Sequence, residues 1–96
     1  MRYSKLLWNH PFPDEPTEIY SEHDEAGWER RKVELFRDGG IGFAGATEGT
    51  EGTKLSLIQC PPDDEVNSEP EFKVVTITRD EFEQLWRKAH QLVESA

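Results

Sequence analysis

The sequence predicts an α+β domain: a twisted, mainly antiparallel sheet of about five to six strands, with one C-terminal helix packed on one face. Three observations carry this expectation. Short segments rich in β-branched and aromatic residues recur along the chain, each bounded by Pro, Gly, Asn or Asp. Asp38-Gly39 separates two of them, and Asp-Gly between apolar strands favours tight hairpin turns that need positive φ. From residue 78 onward the apolar spacing changes to that of a helix, behind a Thr78/Glu81 capping box.

Taken in order, Arg2 to Asn9 carries Tyr3, Leu6, Leu7 and Trp8 and reads as a first strand. Pro11, Pro13 and Pro16 follow, and their fixed φ and missing N–H groups make residues 10–16 a stiff loop. Thr17 to His23, with Ile19 and Tyr20, is expected to be the second strand, and Asp24 to Gly27 a turn. Trp28 to Arg37 alternates, with Val33 and Leu35 on one face and Lys32, Glu34 and Phe36 on the other. Ile41 to Ala46 is its hairpin partner, and Gly42 and Gly45 predict close approach by other groups.

Thr47 to Thr53 reads as a flexible loop and Lys54 to Gln59 as a short strand bearing Leu55, Leu57 and Ile58. Cys60 to Glu71 reads as an acidic, proline-rich connector with little intrinsic order, and Phe72 to Ile77 as the last strand. In the final segment Phe82, Leu85, Trp86, Ala89, Leu92 and Val93 form one apolar stripe. Asp80 lies in the first turn and Arg87, Lys88 and His90 in the second half, both suiting the helix dipole.

Composition narrows the class. Ninety-six residues accommodate one domain, 1–96, around one modest core. Only 34% of residues are hydrophobic, but three Trp, five Phe and two Tyr give each apolar cluster a large contact area. A single cysteine, Cys60, excludes an intramolecular disulfide. The N-terminal segment lacks the long apolar stretch of a leader, and no run approaches the roughly 20 residues of a membrane span. A cytoplasmic domain without membrane contact is expected. The net charge of −9 opposes direct nucleic-acid binding and favours a basic protein partner.

The residues that could carry chemistry do not converge on a motif. His10, Asp14 and His23 are the best-placed metal ligands, but they lack any zinc-type spacing, and neither a metal nor another cofactor is expected. Cys60 is followed by Pro61, Pro62, Asp63, Asp64 and Glu65, whose charges disfavour a thiolate. No Gly-Lys-Ser/Thr follows the glycines near residue 40, so a phosphate loop is not indicated. No catalytic residue is expected.

Two acid-rich stretches are more informative. Asp14 to Glu25 holds six acidic residues and Asp63 to Glu71 five, with no Lys or Arg in either. The first interleaves its acids with aromatic residues beside stiff prolines, a combination suited to recognition at low ordering cost. The expected partner-binding residues are Phe12, Asp14, Glu15, Glu18, Tyr20, Glu22 and Asp24, with Trp28 as a further anchor.

Several segments together also resemble a known family. They are Arg2-Tyr3 through Trp8-Asn9-His10, Phe12-Pro13-Asp14-Glu15-Pro16, Ile19-Tyr20-Ser21-Glu22, Trp28 through Phe36, Asp38-Gly39, and Glu81-Phe82-Glu83-Gln84-Leu85-Trp86. The family is one of short bacterial single-domain proteins of unknown function, and the likeness is weakest over residues 46–67. The resemblance implies an immunity-type protein that neutralises a toxin by binding it, and implies no catalytic residue. The two competing expectations are a small enzyme or metal-dependent hydrolase around His10, Asp14 and His23, and a structural or regulatory subunit that pairs with itself or a larger assembly through a sheet edge.

Overall fold

The computed structural model describes residues 1–50, 52–57 and 59–94. Strands β1 (Arg2–Trp8), β2 (Pro16–His23), β3 (Glu29–Phe36), β4 (Ile41–Ala44) and β5 (Phe72–Thr76) form one sheet in the order β4-β3-β2-β1-β5. Every neighbouring pair is antiparallel. A short helix α1 (Asp63–Asn67) precedes β5, and α2 (Arg79–Glu94) ends the chain. The predicted α+β sheet with one C-terminal helix on one face is therefore present, with five strands.

Alternation along each strand sorts side chains between the two faces. The register aligns Tyr3 with Glu22, Lys5 with Tyr20, Tyr20 with Val33, and Val33 with Phe43, so these share the face covered by α2. Val33, Phe43 and Ala89 are the buried centre of this layer, with Tyr20, Leu35, Ile41, Leu85 and Trp86 packed around them. Phe82 is fully buried beside Tyr3, their ring centroids 5.5 Å apart. His90 stacks on Phe43 at 4.0 Å and so acts as part of this aromatic layer. The helix begins at the expected cap: Glu81 N–H donates to Thr78 Oγ1 at 3.1 Å, and the Thr78 hydroxyl donates to Glu81 Oε1 at 3.2 Å.

Four expectations change. Lys54 to Gln59 is not a strand over its described residues, and Ile58 lies outside them. Side chains take the place of a neighbouring strand here, since Lys32 Nζ donates to Lys54 O and Glu29 Oε1 accepts Ser56 N–H. The acidic connector forms α1, because Asp63, Asp64 and Glu65 all lie in its first turn, where negative charge is favoured. The loop after β4 folds back on that strand through an Ala44–Gly49 bridge and a Thr50 N–H to Phe43 O bond. Lastly, Leu92 and Val93 are exposed, so the buried stripe of α2 ends near His90.

The hairpin glycines behave as the turn chemistry demands. Gly39 has φ +90°, and its N–H donates to Phe36 O while Phe36 N–H donates to Gly40 O. Gly42 and Gly45 do admit close neighbours, but different ones: Thr53 and Thr50 lie against Gly42, and the Trp86 ring lies against Gly45.

Candidate functional site

The expected recognition stretch divides between a loop and a strand. Residues 10–15 form a loop at one end of the sheet, and Pro16–His23 is β2. His10 is buried and organises the loop from below. Its Nδ1 accepts Phe12 N–H at 3.0 Å, and its Nε2 lies 2.8 Å from Pro16 O. The neutral ring with the proton on Nε2 satisfies both contacts. Trp8, His10 and Phe12 stack in succession, at centroid distances of 4.1 and 5.5 Å. Arg37 Nη2 donates to His10 O from the β3–β4 hairpin and ties the loop to it.

Phe12 emerges from this support 55% exposed, with Asp14 and Glu15 beside it. Neither carboxylate has an ion-pair partner among the described residues. Behind them a groove of about 320 Å³ is lined by Asp14, Glu15, Glu34, Phe36, Gly42 and Thr53. Glu34 accepts the Thr53 hydroxyl at 2.9 Å and contributes a third carboxylate to this groove. The groove combines three carboxylates with the apolar side chains of Phe36 and Ile41, which matches a basic side chain with an aliphatic stem.

The remaining expected residues are placed elsewhere. Glu18, Tyr20 and Glu22 lie on the α2 side of β2. Glu18 pairs with Lys5 at 3.1 Å and accepts the Tyr20 hydroxyl at 3.1 Å. Glu22 is buried, and Arg31 grips it through Nε at 2.9 Å and Nη2 at 2.7 Å, with the Tyr3 hydroxyl donating to the same carboxylate. Those donors, Arg31 foremost, hold the Glu22 carboxyl below its ordinary range against the opposing effect of burial. Asp24 accepts Ala26 and Trp28 N–H groups and pairs with Arg30 at 2.7 Å. Trp28 is 41% exposed at the end of the sheet away from Phe12. The acid-rich stretch from 14 to 25 thus comprises an exposed cluster at Asp14 and Glu15, beside Phe12, and a set of carboxylates tied within the fold.

The hydrolase arrangement is not assembled. His10 and Asp14 lie near Pro16, while His23 ends the same strand, about 23 Å away in extended backbone. Among the described residues no group of three or more His, Cys, Asp or Glu side chains is placed to hold a metal ion. No helix among them is long and apolar enough to cross a membrane. Sheet-edge pairing is also partly pre-empted: Asn67 Oδ1 accepts Val74 N–H on β5, and Thr50 occupies Phe43 on β4.

Sequence reasoning missed a second concave region, on the sheet face opposite α2. A cavity of about 240 Å³ lies between that face and a wall that includes Ser56, Gln59, Cys60 and α1, with Leu6, Ile19, Val74 and Val66 among its apolar residues. His23, Ser21, Glu29, Lys32 and Cys60 also border it. Glu29 and Lys32 pair at 3.0 Å, and Ser21 donates to Glu29 at 2.9 Å. The His23 side chain is 5% exposed, and its buried Nδ1 has no hydrogen-bond partner. Burial pushes the His23 pKa down and the Cys60 thiol up.

These features define an α+β sheet-and-helix protein with a stiff acidic loop at one sheet end and a small cavity on the sheet face opposite α2. The chain belongs to a family described as a domain of unknown function (DUF6881), whose model matches residues 2–91. No curated protein and no solved structure is similar enough to match.

Proposed function

We propose that this protein acts by binding a basic protein through the Phe12–Glu15 loop and the adjoining acidic groove, in the manner of an immunity protein that occludes a toxin. The observation that carries this reading is the support under Phe12. A large apolar side chain stands 55% exposed on a loop fixed by a buried histidine, next to two unpaired carboxylates. Preorganisation lowers the ordering cost of binding, and an aromatic anchor ringed by charge is the usual form of an interface hot spot. The net charge of −9 would speed encounter with a cationic surface.

The test is co-expression of the tagged chain with the products of its flanking genes, followed by purification at low and high salt. A stoichiometric basic partner is expected, bound to the parent protein and released as salt rises. Asp14→Lys combined with Glu15→Lys should slow association at least about tenfold, and Phe12→Ala should speed dissociation. Both variants should keep the parent unfolding midpoint, because none of the three side chains belongs to the buried core. A partner that binds the variants as tightly as the parent would overturn the assignment of this surface.

A further inference from the structure

The cavity on the sheet face opposite α2 is independent of the loop and of the reading given for it. It is a concave region of about 240 Å³, partly open to solvent, in a chain of only 96 residues. Its apolar walls come from three strands and α1: Leu6 on β1, Ile19 on β2, Val74 on β5 and Val66 on α1. A cavity lined this way is the form taken by small-molecule sites, with a few polar groups fixing orientation.

The charges around it are matched. Glu29 pairs with Lys32 at 3.0 Å, and each is further held, Glu29 by Ser21 and Ser56 N–H, Lys32 by Lys54 O. Asp63 at the α1 end pairs with Arg2 at 3.7 Å. An ionised ligand would find no free counter-charge here and would lose its hydration. His23 is the exception to this saturation. Its residue borders the cavity and is 5% exposed, and its buried Nδ1 has no hydrogen-bond partner among the described residues. Burial favours its neutral form, which can both donate and accept. Buried polar side chains are nearly always satisfied, so His23, lining the cavity with one ring nitrogen unpaired among the described residues, is the polar group best placed to orient a ligand there.

We propose that this cavity is a binding site for a small uncharged organic molecule, about one ring with a short substituent, that packs on Leu6, Ile19, Val66 and Val74 and hydrogen-bonds to the His23 ring. The size follows from volume: an apolar cavity of roughly 150 Å³ holds benzene, and the extra space admits a substituent of a few atoms. The hydrogen-bonding group follows from His23, and the absence of charge from the paired walls.

The test is a methyl and histidine-ring NMR titration of the full chain at pH 7.5 with 4-methylphenol, toluene, benzoate and benzylammonium. Saturable shifts are expected at the Leu6, Ile19, Val66 and Val74 methyls with 4-methylphenol, and tenfold or weaker binding of the two charged probes. His23→Phe should weaken 4-methylphenol to the level of toluene, a loss of about tenfold for one hydrogen bond. Val74→Phe should fill the cavity and abolish the shifts without lowering the unfolding midpoint. If that variant does not fold, Val66→Phe on α1 makes the same test from the opposite wall. A folded parent with no saturable shift for any probe, equal binding of the charged probes, or undiminished binding by the filled variants would each overturn the proposal.

Discussion

Arg31 is held beneath α2 by contacts of three kinds. Its guanidinium grips Glu22 at 2.9 and 2.7 Å, lies 2.5 Å from Glu83 as an ion pair, and covers Phe82 and Trp86 at 5.0 and 5.1 Å from their ring centroids. In the sequence it sits between Arg30 and Lys32, with nothing local to single it out. Only the register, which sets it opposite Glu22 and under the helix, reveals its role. The same register explains why Glu22 was legible as an acid but not as a buried one. Removing the cation leaves a buried carboxylate unpaired. Arg31→Met should therefore cost about 3 kcal/mol in urea unfolding, and adding Glu22→Leu should recover more than half of that. The pair also has a pH signature. Because the folded Glu22 carboxyl is held low, its contribution is complete above the unfolded value of about 4.3 and fades as pH falls through the folded value. Glu22→Gln should flatten the loss of stability in that acid window, as followed by denaturant midpoints from pH 5 to pH 2.5.

At the scale of elements, the legible parts are those whose hydrogen bonds run along the backbone. The strands, the Asp38-Gly39 hairpin and the capped helix were all written in period and turn chemistry, and they lie where the pattern put them. Residues 54–57 failed because their backbone groups bond to Lys32 and Glu29 side chains, a pairing that no periodicity encodes. α1 was missed because its stability depends on first-turn acids and on Asn67 bonding across to Val74, not on an apolar stripe. Gly42 shows how such a non-repetitive segment still constrains a strand. A Cβ there would stand 2.3 Å from Thr53 Oγ1 and 3.0 Å from Thr50 Oγ1. Both hydroxyls are engaged, Thr53 with Glu34 and Thr50 with Phe43, so neither can yield without breaking a bond. Gly42→Ala should destabilise by about 1–3 kcal/mol despite the better strand propensity of alanine. Gly42→Ala combined with Thr53→Ser keeps the hydroxyl and should recover little, whereas Thr53→Ala should recover part of the loss. Thermal unfolding of the three variants makes this comparison.

For the molecule as a whole, the two sheet faces separate what the sequence mixes. The α2 face holds the aromatic core, and the opposite face holds the cavity, whose walls run from Ser4 to Val74 along the chain. No local motif unites residues so far apart, so the cavity was invisible in the sequence, whereas the Phe12–Glu15 loop was contiguous and could be read directly. His23 appeared in the sequence as one member of a scattered ligand set; the fold instead buries it on the cavity side, away from His10 and Asp14. That placement makes a prediction for the stability of the entire domain. Burial lowers the folded His23 pKa more than Glu29, Asp24 and Asp63 raise it, and Arg2 adds to the lowering. The unfolded chain therefore binds a proton near pH 6.5 that the native protein resists until lower pH. Unfolding takes up that proton, so stability should be greatest above about pH 6.5 and should decline as pH falls toward the folded value. This window lies above that of Glu22, and the two can be resolved in one titration. Denaturant midpoints compared between pH 7.5 and pH 5.5 should fall less in His23→Gln than in the parent protein. An equal fall in both would mean that the native ring accepts its proton as readily as the unfolded one, and that His23 is open to water.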